Sequence, residues 1–401
     1  MNKSTFFSGQ PIFAQLLKFV PKDAVLRIAR DNKADYYCKR FSTYEHLVTI
    51  LYSIFNNCNS LREVTTGMLA SEQRLAHLGI RYHPRRSTIS DANIRRRAEV
   101  FENIYFSIFK KYSSFLSDSR TKSRASKLYI LDATTISLFH EVLRTGGKIP
   151  ASGKRKGGIK VHTMIRSDQD VPCMIRYSSA IANDSPFLKD IRLPKGSVIV
   201  FDRGYRDFVA LNRFTTDGIT WVTRRTSLFA FAIKNKIEVP CTDKCVISDR
   251  HVIMGHKDIK HRVKARLVRY RDNSSGEVYE FVTNNLKMSA STVAALYRKR
   301  WQIESLFKRM KQNYPLKYFL GDSENAIKIQ IWCSLIADLL LKIVKKAAAA
   351  KWSFSNLAAM VRLHLMTYID LFGFLKSPEK SLIKLFSKPI KYNSHQLSFV
   401  T

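Results

Sequence analysis

A glutamate flanked by cations at helical spacing is the first feature of this sequence that could do chemistry. Arg300, Glu304 and Lys311 follow Tyr297 at offsets of 3, 7 and 14 residues. At about 100° per residue, one continuous helix places these four side chains within roughly 60° of one another. The pattern therefore predicts one polar stripe that carries a carboxylate, two cations and a phenol. An ordinary solvated helix face, with Arg300 and Glu304 as an i,i+4 ion pair, is the alternative.

Two aspartates elsewhere favour the chemical interpretation. Asp132 ends the apolar run that starts at Leu128, and Asp202 ends the run that starts at Val198. Strand alternation puts each aspartate on the same face as two apolar residues, at the carboxyl end of a predicted core strand. A carboxylate there is costly unless it is paired or bound to a cation, and ligand sites of α/β sheets lie at that edge. A helix cap or a turn at either aspartate remains the alternative.

The two aspartates and the glutamate are hard oxygen ligands of the kind that suit Mg²⁺. Two such ions, roughly 3.5 to 4 Å apart, can activate an attacking oxygen and stabilise a departing one in phosphodiester chemistry. Cations on the same helix as the glutamate could bind the negatively charged strand.

The net charge of the chain narrows the class of partner. The 401 residues include 68 Lys and Arg against 32 Asp and Glu, with a formal net charge of +36, a pI of about 10.1 and a hydrophobic fraction of 45%. A folded chain this basic repels itself and needs a polyanionic partner, most often nucleic acid. The excess is spread along the chain, so we expect both its N-terminal region and the remainder to contact phosphate.

Membrane and disulfide-rich classes are not favoured. The most apolar stretch, residues 331–344, contains Asp338 and Lys342 and is shorter than the roughly 20 residues that a membrane span needs. No uninterrupted signal-peptide core is present, so we expect a cytoplasmic protein. The six cysteines are scattered, which indicates free thiols. Cys241 and Cys245 lie near two histidines, but a C-x3-C spacing without a second pair is weak evidence for zinc.

The elements that must position these residues begin with a helical domain, residues 1–120. Capping boxes of the S-x-x-E type start at Ser42 and Ser60. A longer helix is predicted from about residue 87 towards residue 111, and three consecutive arginines lie in its first turns. Arginines near a helix N-terminus suit phosphate binding or entry into a DNA groove, against the alternative of a solvated basic face. The predicted DNA-binding residues here are Arg95, Arg96 and Arg97.

From Lys127 onward the pattern is typical of strands that alternate with helices, which indicates an α/β sheet domain. Predicted strands cover residues 127–138, 159–165, 173–178, 198–201 and 219–223, and predicted helices lie around residues 185–191 and 206–215. Further predicted strands cover residues 236–239, 262–270 and 278–283. The resulting division is a first segment of the catalytic core at 121–224, a β-rich insertion at 225–288, the core helix with a following helix at 289–345, and a C-terminal helical region at 346–401. The last region is expected to pack on the core or to form a dimer contact.

The order Asp132, Asp202, Glu304, with Y-x2-R-x3-E-x6-K around the glutamate, resembles the DDE transposases of the fourth insertion-sequence family. The contexts L-D-A-T-T at residues 131–135 and F-D-R-G-Y at residues 201–205 also resemble that family. The similarity covers about residues 120 to 345. More loosely, residues 1–100 resemble the N-terminal domain of one branch of these enzymes.

The resemblance implies an α/β fold, with a ribonuclease H-like mixed-sheet catalytic core interrupted by a β-rich insertion, a helical N-terminal domain and a helical C-terminal tail. It implies that Asp132, Asp202 and Glu304 are catalytic and bind two Mg²⁺ ions, which Mn²⁺ can replace. Similar enzymes cut a mobile element at its terminal inverted repeats and join its 3′ ends to target DNA. A homodimer that acts on double-stranded DNA in a bacterial cytoplasm, associated with the nucleoid, is therefore expected.

Further residues receive roles from the same resemblance. Tyr297, Arg300 and Lys311 would contact phosphate at the element end. Lys160 and His162 share one face of the second predicted strand and look family-like. They could reach the active site or DNA, and an exposed strand is the alternative. Asn183-Asp184 departs from the His-Asp that relatives often have, so an accessory role for that region stays open.

Three other functions remain as alternatives at this point. The chain could be a catalytically silent DNA-binding protein derived from a transposase, or a metal-dependent nuclease that uses the same carboxylates. A tyrosine recombinase would use Tyr297 as its nucleophile and would need no metal.

Overall fold

The structure is a computed structural model that describes residues 9–117, 127–137, 158–226, 231–237, 244–255 and 262–381. The chain divides into two compact units. The helical unit combines Met1–Tyr112, Asn313–Gly321 and Asn325–Thr401, and the sheet unit combines Ser113–Gln312 and Asp322–Glu324. This division does not test the five segments that are expected from the sequence, which stay a prediction.

The described residues form thirteen α-helices, nine strands and two 3₁₀ helices, Ala76–Leu78 and Ser185–Asp190, the second of which lies where the sequence predicts a helix. The helices are α1 (Ile12–Leu17), α2 (Lys22–Asp31), α3 (Thr43–Phe55), α4 (Leu61–Leu69), α5 (Glu72–Leu75), α6 (Arg86–Arg95), α7 (Ala98–Leu116), α8 (Phe208–Thr216), α9 (Ala290–Arg298), α10 (Trp301–Asn313), α11 (Glu324–Ala347), α12 (Phe354–Leu363) and α13 (Leu371–Lys376). The strands are β1 (Leu128–Ser137), β2 (Gly158–Arg166), β3 (Val171–Ser179), β4 (Val198–Phe201), β5 (Thr220–Arg224), β6 (Phe231–Ile237), β7 (Val246–Met254), β8 (Val263–Arg271) and β9 (Val278–Thr283).

The helical unit is built around α3, which is buried along its whole length. Its start is the predicted capping box, in which the Ser42 side chain accepts from the Glu45 backbone N–H and the Glu45 carboxylate accepts from the Ser42 backbone N–H at 2.7 Å. Ser60 caps α4 in the same way by accepting from the Glu63 backbone N–H. Both predicted helix starts are confirmed.

The C-terminal helices belong to this unit as well. Gln15 in α1 donates its side-chain amide to the Ile369 carbonyl at 2.6 Å and accepts from the Leu371 backbone N–H at 2.9 Å. The backbone of Ile12 donates to the Thr367 carbonyl at 3.1 Å. The residues before α13 thus pack on α1 within the helical unit, whereas the dimer contact considered for residues 346–401 stays a prediction. Local sequence patterns could not reveal contacts between residues 354 positions apart.

The sheet unit contains one nine-stranded mixed sheet in the order β3-β2-β1-β4-β5-β9-β8-β7-β6. Strands β1, β4 and β5 run parallel, and the other neighbouring pairs are antiparallel. The strands of the predicted insertion, β6 to β9, therefore continue the core sheet through the β5–β9 pair. The sequence pattern does not predict β7, because the polar run Ser248-Asp249-Arg250-His251 interrupts its alternation.

Apolar side chains cover both faces of the central strands, as is typical of parallel strands. In β4, Ile199 and Phe201 join a cluster with Trp221, whereas Val200 joins a second cluster with Val293 of α9. This two-sided burial explains why β4 appears in the sequence as a continuous apolar run.

Two predicted helices are each interrupted. The helix expected from residue 87 to residue 111 breaks between α6 and α7, where Arg96 has extended backbone angles. The helix expected through Tyr297 and Lys311 breaks between α9 and α10. There the N–H groups of Arg300 and Gln302 donate to Tyr297 and Lys299 at 2.9 and 3.0 Å, in the i→i−3 pattern of a tighter turn.

Two smaller expectations concern membranes and thiols. None of the described helices combines the length and the hydropathy that crossing a bilayer requires. Of the described cysteines, Cys38, Cys58, Cys173, Cys245 and Cys333 are free thiols, as predicted. Cys241 and His256 lie outside the described residues, so the structure does not test the zinc site considered for Cys241 and Cys245.

Candidate active site

The register of two parallel strands brings the two aspartates side by side. β1 and β4 pair from Leu128 with Val198 to Leu131 with Phe201, so the next residue on each strand is Asp132 or Asp202. β1 itself does not end at Asp132 but continues to Ser137 beside β2. Asp132 therefore stands where the parallel pairing stops, which is the sheet edge expected from the strand pattern.

Arg300 joins this edge to the glutamate. Its Nη1 lies 2.6 Å from Asp132 Oδ2, and its Nη2 lies 2.6 Å from Glu304 Oε1. The side chains of Arg300 and Asp132 are 13% and 15% exposed, and that of Glu304 is 34% exposed. The i,i+4 pair expected on the helix is thus present, and the same guanidinium also binds a carboxylate on the sheet.

Tyr297 contacts the second aspartate from the last turn of α9. Its hydroxyl lies 3.5 Å from Asp202 Oδ1, and its ring packs on Phe281 with the ring centroids 5.1 Å apart. The pKa of the phenol is raised to about 12, chiefly by burial, while Arg300 lowers it and Asp202 raises it by smaller amounts. A buried phenol that is this hard to ionise is a poor nucleophile, which argues against the tyrosine recombinase.

The three acids affect one another electrostatically. The pKa of Asp132 is raised to about 6, chiefly by burial and in smaller part by the neighbouring charges of Asp202 and Glu304. The Ala133 backbone N–H, which donates to Asp132 at 2.8 Å, and the Arg300 guanidinium lower it, but they do not offset the burial. Asp132 is therefore mostly ionised at pH 7 but protonates far more readily than an ordinary aspartate.

Within the portion of the chain that the structure describes, no three His, Cys, Asp or Glu side chains form a ready metal-binding group. Asp132 and Glu304 share the Arg300 guanidinium, and Asp202 meets the Tyr297 hydroxyl. The predicted site residues are thus gathered through cationic and phenolic partners.

A second network, which no sequence pattern predicts, packs behind Asp202. Tyr205 lies in the turn after Asp202 and is 1% exposed. Its hydroxyl is 3.0 Å from His162 Nδ1, and His162 Nε2 is 2.8 Å from Ser178 Oγ. Burial lowers the pKa of His162 and raises that of Tyr205. His162 is only 3% exposed, so the expectation that it contacts DNA is wrong.

Asp184 ties the same network to the turn. Lys160 Nζ donates to Asp184 Oδ1 at 2.9 Å and to the Ala182 carbonyl at 2.7 Å. A Cβ atom added to Gly204 would lie 2.9 Å from Asp184 Oδ2, so a larger residue here would displace the Asp184 carboxylate. Lys160 is thus an internal ion-pair partner of Asp184, contrary to the expectation of DNA contact. An accessory role for Asn183-Asp184 stays a prediction.

The remaining predicted DNA-binding residues differ in exposure. Arg95, Arg97 and Lys311 are exposed, as a DNA contact requires. Arg96 is 2% exposed, and its guanidinium donates to Asp35 at 3.0 Å and to the Phe41 carbonyl. Its role is therefore structural, and the expectation that it binds DNA is wrong. Three consecutive arginines carry no sequence signal that the middle one is buried.

One cavity adjoins Tyr297 and Arg300. It has a volume of about 130 Å³, and its walls include Arg224, Tyr279 and Trp301. The Arg224 guanidinium lies 4.8 Å from the centre of the Tyr279 ring. Trp301 is 64% exposed and does not pack into the core. No sequence pattern singles out Arg224, which ends an apolar strand as many surface residues do.

Comparison with known proteins gives two family matches. Residues 123–340 match the family described as "Transposase DDE domain". Residues 8–81 match a family described as a domain of unknown function, DUF4372.

Two relatives carry transposase names. A protein of Sinorhizobium fredii named transposase y4zB is 29% identical over 270 residues, which are 66% of this chain and 72% of that protein. A protein of Synechocystis named as a transposase for insertion sequence element IS4SA is 29% identical over 275 residues, which are 64% of this chain and 71% of that protein. A solved structure of a piggyBac transposase synaptic complex with hairpin DNA aligns with 97% of this chain and 87% of its own at 12% identity. Its TM-score of 0.43 is too low to assign the fold.

Proposed function

This chain belongs to the family of transposase DDE domains, and we propose that it cuts DNA at the terminal inverted repeats of a bacterial insertion sequence and joins the 3′ ends to target DNA. One observation supports the proposal most strongly. The β1–β4 register sets Asp132 beside Asp202, and Arg300 ties Glu304 to Asp132. Two acids from distant strands thus stand side by side, and a third from a helix is joined to one of them through a shared arginine.

Asp132, Asp202 and Glu304 would hold divalent metal, for which their chemistry fits. All three are hard oxygen donors, and their mutual effect on the pKa of Asp132 is that of anionic groups gathered around one place. The Arg300 guanidinium already stands between two of them as a cation. Bound Mg²⁺, or Mn²⁺ in its place, would supply charge stabilisation for the attacking and departing oxygens of phosphodiester exchange.

The chain's own residues prepare this site in three ways. Asp132 is ionised at neutral pH despite its burial, so it can accept a cation. Arg300 pairs with the Asp132 and Glu304 carboxylates and presents a guanidinium that can bind a DNA phosphate bidentately. Tyr297, packed on Phe281, donates a hydrogen bond towards Asp202 and restrains its carboxylate.

Phosphate contacts at the element end are proposed for Tyr297, Arg300 and Lys311. Lys311 lies in the last turn of α10 and is exposed. Arg300 is the strongest candidate, because its two present partners are the acids that a metal ion would take over. A phosphate would then replace those acids as the partner of the guanidinium.

The finer fold and assembly are proposals too. The mixed order β3-β2-β1-β4-β5, with acids at the carboxyl edge of β1 and β4, supports a ribonuclease H-like core. The strands β6 to β9 would be the insertion, and the Y-x2-R-x3-E-x6-K spacing supports membership of the fourth insertion-sequence family. A homodimer that holds two element ends would follow from the need to join both ends to one target.

The test is an assay of cleavage and joining with the full chain. A labelled duplex that ends in the element's own inverted repeat is incubated with a target plasmid, with Mg²⁺ or with chelator. Mg²⁺-dependent cleavage followed by joined products supports the proposal. Cleavage without joining indicates a nuclease, binding without cleavage indicates a silent DNA-binding protein, and a protein-linked product formed in chelator indicates a recombinase.

A further inference from the structure

Two exposed tyrosines, one of them on unusual backbone, mark a surface of the helical unit. Tyr36 and Tyr37 are 63% and 80% exposed, and their ring centroids are 4.2 Å apart. Tyr37 has a φ of 59°, in the left-handed region that bulky residues rarely adopt. Such backbone persists only where the surroundings enforce it, and it is concentrated at functional sites. A folded chain has little structural reason to keep two large rings in solvent, one of them on strained backbone.

Buried contacts enforce this conformation from inside. Asp35, just before the tyrosines, accepts from the Thr43 backbone N–H at 2.7 Å and from Arg96 Nη2 at 3.0 Å. The same Arg96 guanidinium donates to the Phe41 carbonyl. One buried cation thus fastens both ends of segment 35–41. The exposed side chains between these ends are held in a fixed arrangement, which lowers the entropic cost of binding a partner.

A cationic cleft lies beside the tyrosines. It has a volume of about 220 Å³ and is bounded by segment 37–41 and by α6. Its exposed charged lining consists of Lys39, Arg40, Arg95 and a single carboxylate, Asp91. Arg96 also reaches the cleft, but Asp35 balances its charge. The cleft therefore has an excess of positive charge.

A third exposed ring extends this surface. Tyr82 is 59% exposed, and the Arg40 guanidinium lies 5.5 Å from the centre of its ring. Aromatic rings that alternate with arginines on one surface suit a backbone of phosphates and sugars. The guanidinium groups bind phosphate oxygens, and tyrosine hydroxyls add hydrogen bonds to them.

We propose that Tyr37, Arg40 and Arg95 form a binding site for the sugar–phosphate backbone of duplex DNA in the helical unit, built from residues that are not members of the carboxylate site. The proposal deepens the proposed function and rests on it, because that function supplies duplex DNA as the substrate. In this site the side chains contact phosphates and sugars and do not contact the edges of the bases. The site therefore binds duplexes of unrelated sequence equally well.

The test measures DNA binding by the full chain with fluorescence anisotropy. The probe is a labelled duplex of arbitrary sequence, in chelator, at salt concentrations from about 50 to 200 mM. The double variant R40Q/R95Q should weaken binding about tenfold and reduce the slope of log K against log salt by about 0.9 for each phosphate that the variant no longer binds. The matched control K351Q/K376Q removes the same charge from exposed positions of the same unit and should bind nearly as the wild type. Equal binding by the two double variants would overturn the proposal.

Tyr37→Gly separates binding from folding. Glycine accepts a φ of 59° without strain, so the variant should melt at or above the wild-type temperature. Its DNA affinity should nevertheless fall several-fold, and unchanged affinity would exclude Tyr37 from the site. Failure of this inference is distinguishable from failure of the proposed function. A wild type that cleaves and joins DNA while R40Q/R95Q binds like its control refutes only the inference.

Discussion

Asp132→Asn should stabilise the folded chain while it abolishes DNA cleavage. Burial raises the pKa of Asp132 from 3.8 to about 6, so an ionised Asp132 destabilises the folded state at neutral pH. At about 1.4 kcal/mol for each tenfold change in the proton equilibrium, the difference corresponds to about 3 kcal/mol at pH 7. Asparagine is neutral at every pH and avoids this cost. The figure is an upper limit, because asparagine also weakens the contact with Arg300.

The sign of the pH dependence follows from the raised pKa. Below about pH 4, both the folded and the unfolded wild type hold the proton, so the wild type and the variant should differ little. Between about pH 4 and pH 6 the folded wild type keeps the proton more tightly, and its free energy of unfolding falls as the pH rises. Above about pH 6 the loss is complete.

Thermal and urea unfolding in chelator, at pH values from 4 to 8, measure this difference. The variant should unfold at a higher temperature than the wild type at pH 7, and the gap should shrink towards pH 4. Asp217→Asn, at a carboxylate that is 45% exposed, serves as the control and should change the free energy of unfolding by less than about 0.5 kcal/mol. A D132N variant that is less stable at pH 7, or a gap that does not depend on pH, would refute the reasoning.

Three further predictions concern residues around the site. Arg300→Gln should increase the affinity for Mn²⁺ in the absence of DNA, because the guanidinium no longer competes with the metal for Asp132 and Glu304. Titration calorimetry measures this affinity. An unchanged affinity would count against the proposal that Arg300 and the metal share these two acids. Gly204→Ala should lower the free energy of unfolding in urea by about 1–3 kcal/mol, since its Cβ would contact the Asp184 carboxylate. An unchanged free energy of unfolding would show that the turn or the Asp184 side chain can shift to make room. Arg96→Met should lower the free energy of unfolding by about 3 kcal/mol because it leaves Asp35 without its charge partner, whereas the exposed Arg97→Met should change it little.

The strands of the sheet core could be predicted well from the sequence because their patterns are local. Four-residue β4 is continuous apolar sequence since both of its faces are buried, and turn residues delimit its neighbours. The sequence does not predict β7, because its polar run includes Asp249, which is buried where it pairs with Arg266 of the neighbouring strand β8. Such burial depends on pairing across the sheet and leaves no periodic signal.

The helix breaks show a second limit of sequence patterns. An uninterrupted helix would put Tyr297 on the same polar stripe as Arg300, but the turn between α9 and α10 sends Tyr297 into the apolar cluster with Phe281. The predicted pair of a cation and a carboxylate is nevertheless present, because Arg300 still contacts Glu304 one helical turn later. Its second partner, Asp132, could not be anticipated, since it lies 168 positions away in the sequence.

Exposure was the least predictable property of the site. Arg95, Arg96 and Arg97 are equivalent in a sequence, yet the middle one is buried because Asp35 lies inside the unit and pairs with it. His162 and Lys160 were predicted on one strand face, which is correct, but Tyr205 and Asp184 cover that face. Tertiary partners that come from other elements decided each of these cases.

The central claim is that Asp132, Asp202 and Glu304 together bind the catalytic metal, and cysteine substitution tests it most directly. A thiolate binds Mn²⁺ better than it binds the harder Mg²⁺. Each of Asp132→Cys, Asp202→Cys and Glu304→Cys should therefore lose cleavage of the element end in Mg²⁺, and Mn²⁺ should restore it at least in some measure. Full activity of any of these variants in Mg²⁺, or wild-type cleavage that persists in chelator, would contradict the claim.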